Sequence, residues 1–432
     1  MSEINEERKI SIYTATFLVI STMIGTGVFT TTGYMVKSLD SPSAILFSWL
    51  LGGVLALCGA LSYAELVTMM PKNGGEYNIL SQVYNKAVGF CCAWISLIVG
   101  FAASIASSSI AFGIYLKDFL PFRPEIASIS LIIILSFIQT LKIESSSKFQ
   151  DLFTIGKIAL ILFFIFSGLF YGNYHSYNVT QNDLNYVLSP VFAVGLIYVS
   201  YAYSGWEAAG YIAGEIKNPN KSLPLSLIIG TSIVTALYVG LNFVYLYMIP
   251  YKMISGEAEV ASITGKILFG ELGSSLLSII ISFGLISAIG AMIISGSRMY
   301  QAIGEDFEKL SFFSKKNKNN IPSNAIYFQM IISIILVFSS AFDTLLKYIG
   351  FTISIFAALS VLGVIVMRIK QPNLNRTYKT FGYPFTPLIF ILLSLWMIIY
   401  SIIEEPKIAF TGLGTILLGF VIYKYLLKKE NT

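Results

Sequence analysis

Charge is scarce in this chain: Asp, Glu, Lys and Arg make up 12% of its 432 residues, where a soluble domain carries about 25%. It has one histidine, His175, and three cysteines. No nucleophile, base or group of metal ligands stands at usable spacing, so neither an enzyme nor a resident metal or cofactor is expected. Cys58, Cys91 and Cys92 all fall in apolar runs; they read as structural thiols and suggest no disulfide framework. His175 lies alone in a loop and reads as solvated surface. The formal net charge of +5 acquires meaning only when the basic residues are sorted by loop. Sorted so, it points to a lipid bilayer and not to nucleic acid.

What the chain has is apolar length, with 55% apolar and 14% aromatic residues. The expected fold class is an all-α integral membrane protein. Runs of about 18 or more apolar residues give about twelve spans, at 10–36, 43–70, 87–116, 126–143, 153–172, 189–213, 223–249, 273–301, 324–342, 346–367, 384–402 and 408–427. The first run is too long for a cleavable signal peptide and lacks a small-residue cleavage site. With the N-terminus inside, about 20 of the Lys and Arg fall on the cytoplasmic side and about 7 outside, which places both termini in the cytoplasm. The arm 1–9 and the tail 428–432 are then short polar extensions, too short for a soluble domain.

Span 1 carries Met23-Ile24-Gly25-Thr26-Gly27-Val28-Phe29 at its middle. A helix over 10–36 would be about 40 Å long, enough to cross a bilayer with tilt. Gly25 and Gly27 each cost about 1 kcal/mol against Ala, and Thr22, Thr26 and Val28 add β-branched crowding. A break is expected there. In hydrocarbon its bare amides and carbonyls need a partner: the N–H groups opening the second half-helix suit a carboxylate, and the last carbonyls of the first half suit an ammonium or a cation.

Span 6 repeats the pattern with Tyr201-Ala202-Tyr203-Ser204-Gly205-Trp206-Glu207. An acid in mid-membrane is expensive, so Glu207 is either functional or a neutral, hydrogen-bonded structural carboxyl. In span 5, Lys157 either snorkels to the inner interface or is an ammonium buried against the unwound carbonyls of span 1, a proton carrier or built-in cation. The small residues 100–109 of span 3 pack tightly or wall a cavity. Glu65, with the turn that follows Pro71, reads as a structural feature of the inner face leading into a short amphipathic helix. Residues 260–269 are too short and polar to cross and are expected as an outer helical cap.

Breaks in the first and sixth spans fit two five-helix units inserted in opposite orientations, 10–172 and 189–370, with spans 11 and 12 (384–427) appended. A six-plus-six arrangement would put the second break in span 7, which has none.

These residues carry a resemblance. Ile24-Gly25-Thr26-Gly27-Val28-Phe29, Tyr63-Ala64-Glu65-Leu66 with Pro71 to Tyr77, Ala103-Ser104-Ile105-Ala106, Tyr203-Ser204-Gly205-Trp206, Asn218-Pro219-Asn220-Lys221-Ser222-Leu223-Pro224 and Ser297-Arg298-Met299 occur in order. Together they resemble the amino acid-polyamine-organocation (APC) superfamily, most closely its L-amino-acid-transporter branch. The resemblance implies a leucine-transporter-type 5+5 inverted repeat with discontinuous helices 1 and 6. Thr26 and the amides of Gly25, Gly27 and Val28 would then take a substrate carboxylate, and the carbonyls of Met23, Tyr201 and Ser204 its ammonium. Ile24 and Gly205 complete the implied substrate-binding set. Tyr201 would be the outer gate. Lys157 looks like the lysine that replaces a sodium ion in proton-coupled relatives, and Glu207 stands where antiporters have a proton-sensing acid.

There are departures: Thr26 replaces the usual Ser, Ser204 a Gly, and Glu207 an Asn. The outer loop 117–125 has no cysteine, so the disulfide to a heavy chain made by animal relatives is impossible there, and a stand-alone permease of a prokaryotic inner membrane is expected. The function implied is transport of neutral L-amino acids by alternating access, by exchange or proton symport. Polyamine or other amine transport on the same fold is the alternative, and a receptor of transporter ancestry the third.

Overall fold

A computed structural model of the chain describes residues 10–72, 74–141, 146–175, 181–187, 189–319, 321–339 and 341–428. The arm 1–9, nearly all of the tail and Asn73 of the inner-face turn lie outside the described residues. Every long element is a helix. Nine are long and apolar enough to cross a membrane among the described residues, with Pro124–Gln139 and the helix beginning at Ser323 as shorter apolar ones. The interrupted helix at 190–215 completes a twelve-helix transporter architecture.

Span 1 is two half-helices, Ile12–Met23 and Gly27–Leu39. Span 2 is Pro42–Met69, followed by the short helix Glu76–Val83. Span 3 runs from Lys86 to Tyr115 through a π-helical stretch, Ser96–Ala103. Spans 4 and 5 are Pro124–Gln139 and Ser146–Tyr171. Span 6 comprises Pro190–Tyr203 and a 3-10 segment, Ala208–Glu215. Span 7 is Pro219–Tyr247. The helix Val260–Asp306 bends at Gly270, whose φ of +72° separates a cap, 260–269, from span 8. Spans 9 to 12 are Ser323–Ser339, Phe342–Lys370, Phe385–Glu404 and Pro406–Lys428.

Local sequence explains where these helices start. Ser11, Ser41, Asn85 and Ser189 each accept a bond from a first-turn amide with the side-chain oxygen, and proline follows Ser41, Ser189 and Asn218 at the first helical position, where its missing N–H costs nothing. Pro224 sits near the start of span 7 without interrupting it. Several helices outrun the apolar segments that identify them. Spans 8 and 10 extend to Asp306 and Lys370, because polar side chains beyond the hydrocarbon do not stop a helix from winding.

Glycines let neighbouring segments approach closely. A Cβ on Gly27 would lie 2.5 Å from the Ala202 backbone, and one on Gly33 would lie 2.0 Å from the Glu257 carbonyl. The Gly256 amide donates to the Gly33 carbonyl at 2.7 Å, fastening the segment between spans 7 and 8 onto the second half of span 1. At the other end of the molecule, Ile10 pairs with the strand-like Ile216, its amide donating to Glu215 at 3.0 Å.

Candidate functional site

The break in span 1 takes the form its glycines imply. The first half-helix ends as the Ile24 amide donates to Ile20 at 2.9 Å, and the Gly25 amide folds back onto Met23 at 2.8 Å. Helical winding resumes at Gly27, so the Gly27 and Val28 amides stand in a first turn, where no intrahelical acceptor exists. A Cβ built on Gly25 would meet nothing within 4 Å, so there is open space at this point of the break.

Lys157 satisfies the other side of the break. It is 8% exposed, and its ammonium donates to the carbonyls of Ile24 at 3.2 Å and Ser21 at 3.5 Å. Of the two placements open to it, burial against span 1 is the one found. Gly284 of span 8 lies beside its stem, so the ammonium sits among spans 1, 5 and 8.

Span 6 breaks at the same level. Tyr203 ends the first half, Ser204 is extended (ψ 149°), and Gly205 has φ +100°, a conformation that only glycine adopts without strain. The Gly205 position also lies against Thr22, where a Cβ would come within 2.8 Å. The Tyr201 carbonyl accepts from the Ser204 amide at 3.1 Å and its hydroxyl at 2.7 Å. Trp206 is buried edge-on against Tyr63, with ring centroids 5.7 Å apart. Glu207 leads into the 3-10 segment and lines a cavity with about 40 Å³ of space for water, shared with Glu76, Ser200 and Ser204.

The two breaks face each other. The Thr26 and Tyr201 hydroxyls are 2.6 Å apart, and Ser107 of span 3 meets Tyr201 at 2.9 Å. The small-residue face of span 3 therefore walls the site with a polar contact as well as packing. Tyr238 of span 7, which the sequence reading did not single out, donates to the Met23 carbonyl at 2.6 Å and reaches Ala202 at 3.3 Å, tying one break to the other. Its signal was available as a tyrosine inside an otherwise apolar run. Met23 and Tyr201, two of the carbonyls assigned to an ammonium, each already accept two bonds, Met23 from the Gly25 amide and the Tyr238 hydroxyl, Tyr201 from the Ser204 amide and hydroxyl.

The family model described as amino acid permease matches residues 10–423. The chain belongs to this amino acid permease family, within the APC superfamily. It is similar to the serine/threonine exchanger SteT of Bacillus subtilis (strain 168), with 31% identity and 98% of both chains covered. It is also similar to the b(0,+)-type amino acid transporter 1 of Mus musculus, at 28% identity over 97% of this chain and 88% of that one. The large neutral amino acids transporter small subunit 2 of Homo sapiens shows 27% identity, with 96% and 80% covered. The permease is thus a multi-pass membrane transporter of amino acids and not an enzyme.

Proposed function

We propose that this permease moves neutral L-amino acids across the cytoplasmic membrane of a prokaryote by alternating access, as an exchanger or a proton-coupled symporter. The opposed breaks carry the reading. Free amides at Gly27 and Val28, the Thr26 hydroxyl and open space at Gly25 form one pole for a carboxylate. The Met23, Tyr201 and Ser204 carbonyls form the other, where an ammonium would take the place of donors that Met23 and Tyr201 now hold.

Neutral side chains are favoured because spans 3, 8 and 10 offer no charged residue toward the breaks. In this reading spans 1, 2, 6 and 7 rock against 3, 4, 8 and 9, Tyr201 is the outer gate, and Lys157 is a built-in cation that holds the end of the first half-helix. The two five-helix units are 10–172 and 189–370. Both termini are cytoplasmic, and no disulfide-linked heavy chain is required: all three cysteines are buried and none lies in 117–125. The names of the similar proteins, two of which specify serine/threonine exchange and large neutral amino acids, support this substrate class.

Uptake of labelled amino acids into proteoliposomes tests the reading. Uptake only with internal substrate indicates exchange, and uptake driven by an acidic exterior indicates symport. Uptake of polyamines that is insensitive to Thr26→Ala and abolished by Glu207→Gln would replace it with the amine reading.

A further inference from the structure

We propose that the turn between spans 8 and 9 is a headgroup site for an anionic phospholipid whose acyl chains lie along the exposed faces of spans 4 and 9. Lys315, Lys316 and Lys318 stand exposed on this turn. Among the described residues none of the three is in an ion pair. The sequence from Ser314 to Asn320 holds no acid, and the nearest one in the chain is Glu308, in the 3-10 segment before the turn.

The turn has a fixed structure. The Asn317 side-chain oxygen accepts from the amides of Asn319 at 2.9 Å and Ile321 at 3.1 Å, and the Asn317 amide donates to the Ile321 carbonyl at 2.8 Å. The Asn317 side-chain nitrogen donates to the Thr140 carbonyl, at the end of span 4, at 2.9 Å, and that of Asn319 reaches the same oxygen at 3.3 Å. Both asparagines are thereby committed to span 4. The lysines beside them are left to solvent and membrane.

A basic turn alone would suit any anion; the surface beside it selects a lipid. Phe312, whose ring lies 3.9 Å from that of Phe313, is exposed just before the turn, and Leu141 is exposed next to the capped Thr140. Spans 4 and 9 pack side by side. Each carries an exposed apolar stripe leading to this end at the four-residue spacing of one helix face, through Ile133 and Phe137 on span 4 and Ile335, Ile331 and Tyr327 on span 9. Tyr327 stands about one turn into its helix, where interfacial aromatic rings collect. Unpaired positive charge at the head of two adjoining apolar tracks complements a phosphate with its acyl chains beneath it. Each lysine near an anionic surface favours binding roughly fivefold, so the three together give about 100-fold. In the transport reading spans 4, 8 and 9 stay still, so a lipid held here would steady the frame without obstructing the breaks.

The melting temperature of the full-length permease in detergent tests the site, with phosphatidylglycerol added in one arm and phosphatidylcholine of the same acyl chains in the other. A rise with phosphatidylglycerol alone is expected, shrinking at high salt, where surface charge is screened. Lys315→Gln, Lys316→Gln and Lys318→Gln combined should weaken phosphatidylglycerol about 100-fold, whereas the three matching Arg replacements should keep the rise. Equal rises with both lipids overturn the proposal, as does a rise unchanged in the triple Gln variant. An equal loss from Lys217→Gln combined with Lys221→Gln, two exposed lysines of another turn, would make the effect one of net charge and overturns it too. So does an equal rise with glycerol phosphate, which has no acyl chains. The lipid and salt arms use the unsubstituted protein, so the test stands even where the triple Gln variant folds poorly.

Discussion

The Tyr201 hydroxyl lies 2.6 Å from that of Thr26 and 2.9 Å from that of Ser107. Ser107 donates its own proton to the Ser104 carbonyl at 3.0 Å, so Tyr201 donates to Ser107 and accepts from Thr26. The proton that Thr26 would offer a carboxylate is therefore occupied while Tyr201 stays where it is. In the proposed cycle, withdrawal of Tyr201 and release of the Thr26 donor are one event.

Thr26→Ala should weaken amino acid binding roughly 10- to 100-fold, the loss of about 1.5–3 kcal/mol from a hydrogen bond to a charged group. Thr26→Ser, which keeps the hydroxyl, should bind nearly as the parent. Tyr201→Phe removes a competitor for that hydroxyl and should tighten equilibrium binding by about 2- to 10-fold. Calorimetric titration in detergent checks all three.

Replacing Lys157 by Met leaves the Ser21 and Ile24 carbonyls without their ammonium donor. Each buried acceptor so exposed costs about 1–3 kcal/mol. A lower melting temperature and loss of uptake are expected together. Wild-type melting with uptake lost would instead confine Lys157 to the transport cycle.

Gly25 and Gly27 should respond differently to alanine. At Gly27 the new methyl meets the Ala202 backbone at 2.5 Å, whereas at Gly25 it meets nothing within 4 Å. Gly27→Ala should thus destabilise the fold by separating spans 1 and 6. Gly25→Ala should fold normally yet bind amino acids poorly, because its methyl occupies the open space at this point of the break. Melting curves with and without substrate separate the two effects.

Glu65 organises one end of the helix bundle. Its carboxylate takes bonds from Arg368 at 3.0 and 2.7 Å and from the Thr380 amide and hydroxyl at 2.7 and 2.8 Å, with the Arg376 guanidinium at 3.1 Å. Leaving buried charges unpaired costs about 3–5 kcal/mol, so Glu65→Ala should lower the melting temperature. Substrate affinity of the protein that remains folded should be unchanged, since this cluster lies away from the breaks.

The twelve helices and both breaks were legible because each depends on its own stretch: apolar length for a span, Gly25 and Gly27 or Ser204 and Gly205 for an interruption. Lys157 was ambiguous because a lysine near the edge of an apolar run fits either direction, and only the position of the Ile24 carbonyl decides. Tyr238, Ser107 and Glu76 meet the site from three other elements. Each looks ordinary in its own segment, and its partner lies far away in the chain. The bend at Gly270 was legible only as a change in polarity between 260–269 and the apolar run after it, because a single glycine does not announce a positive φ.

The central claim is that two facing helix breaks recognise a zwitterion. The most direct measurement is the melting temperature of the purified transporter with a neutral L-amino acid, compared with the matching amine lacking the carboxylate and the matching acid lacking the amine. A ligand that binds the folded state at about 100 times its Kd stabilises by about 2.7 kcal/mol, enough to move the melting point clearly. The account predicts a rise with the intact amino acid only, lost in Thr26→Ala. An equal rise with the bare amine, unchanged in Thr26→Ala, would contradict it.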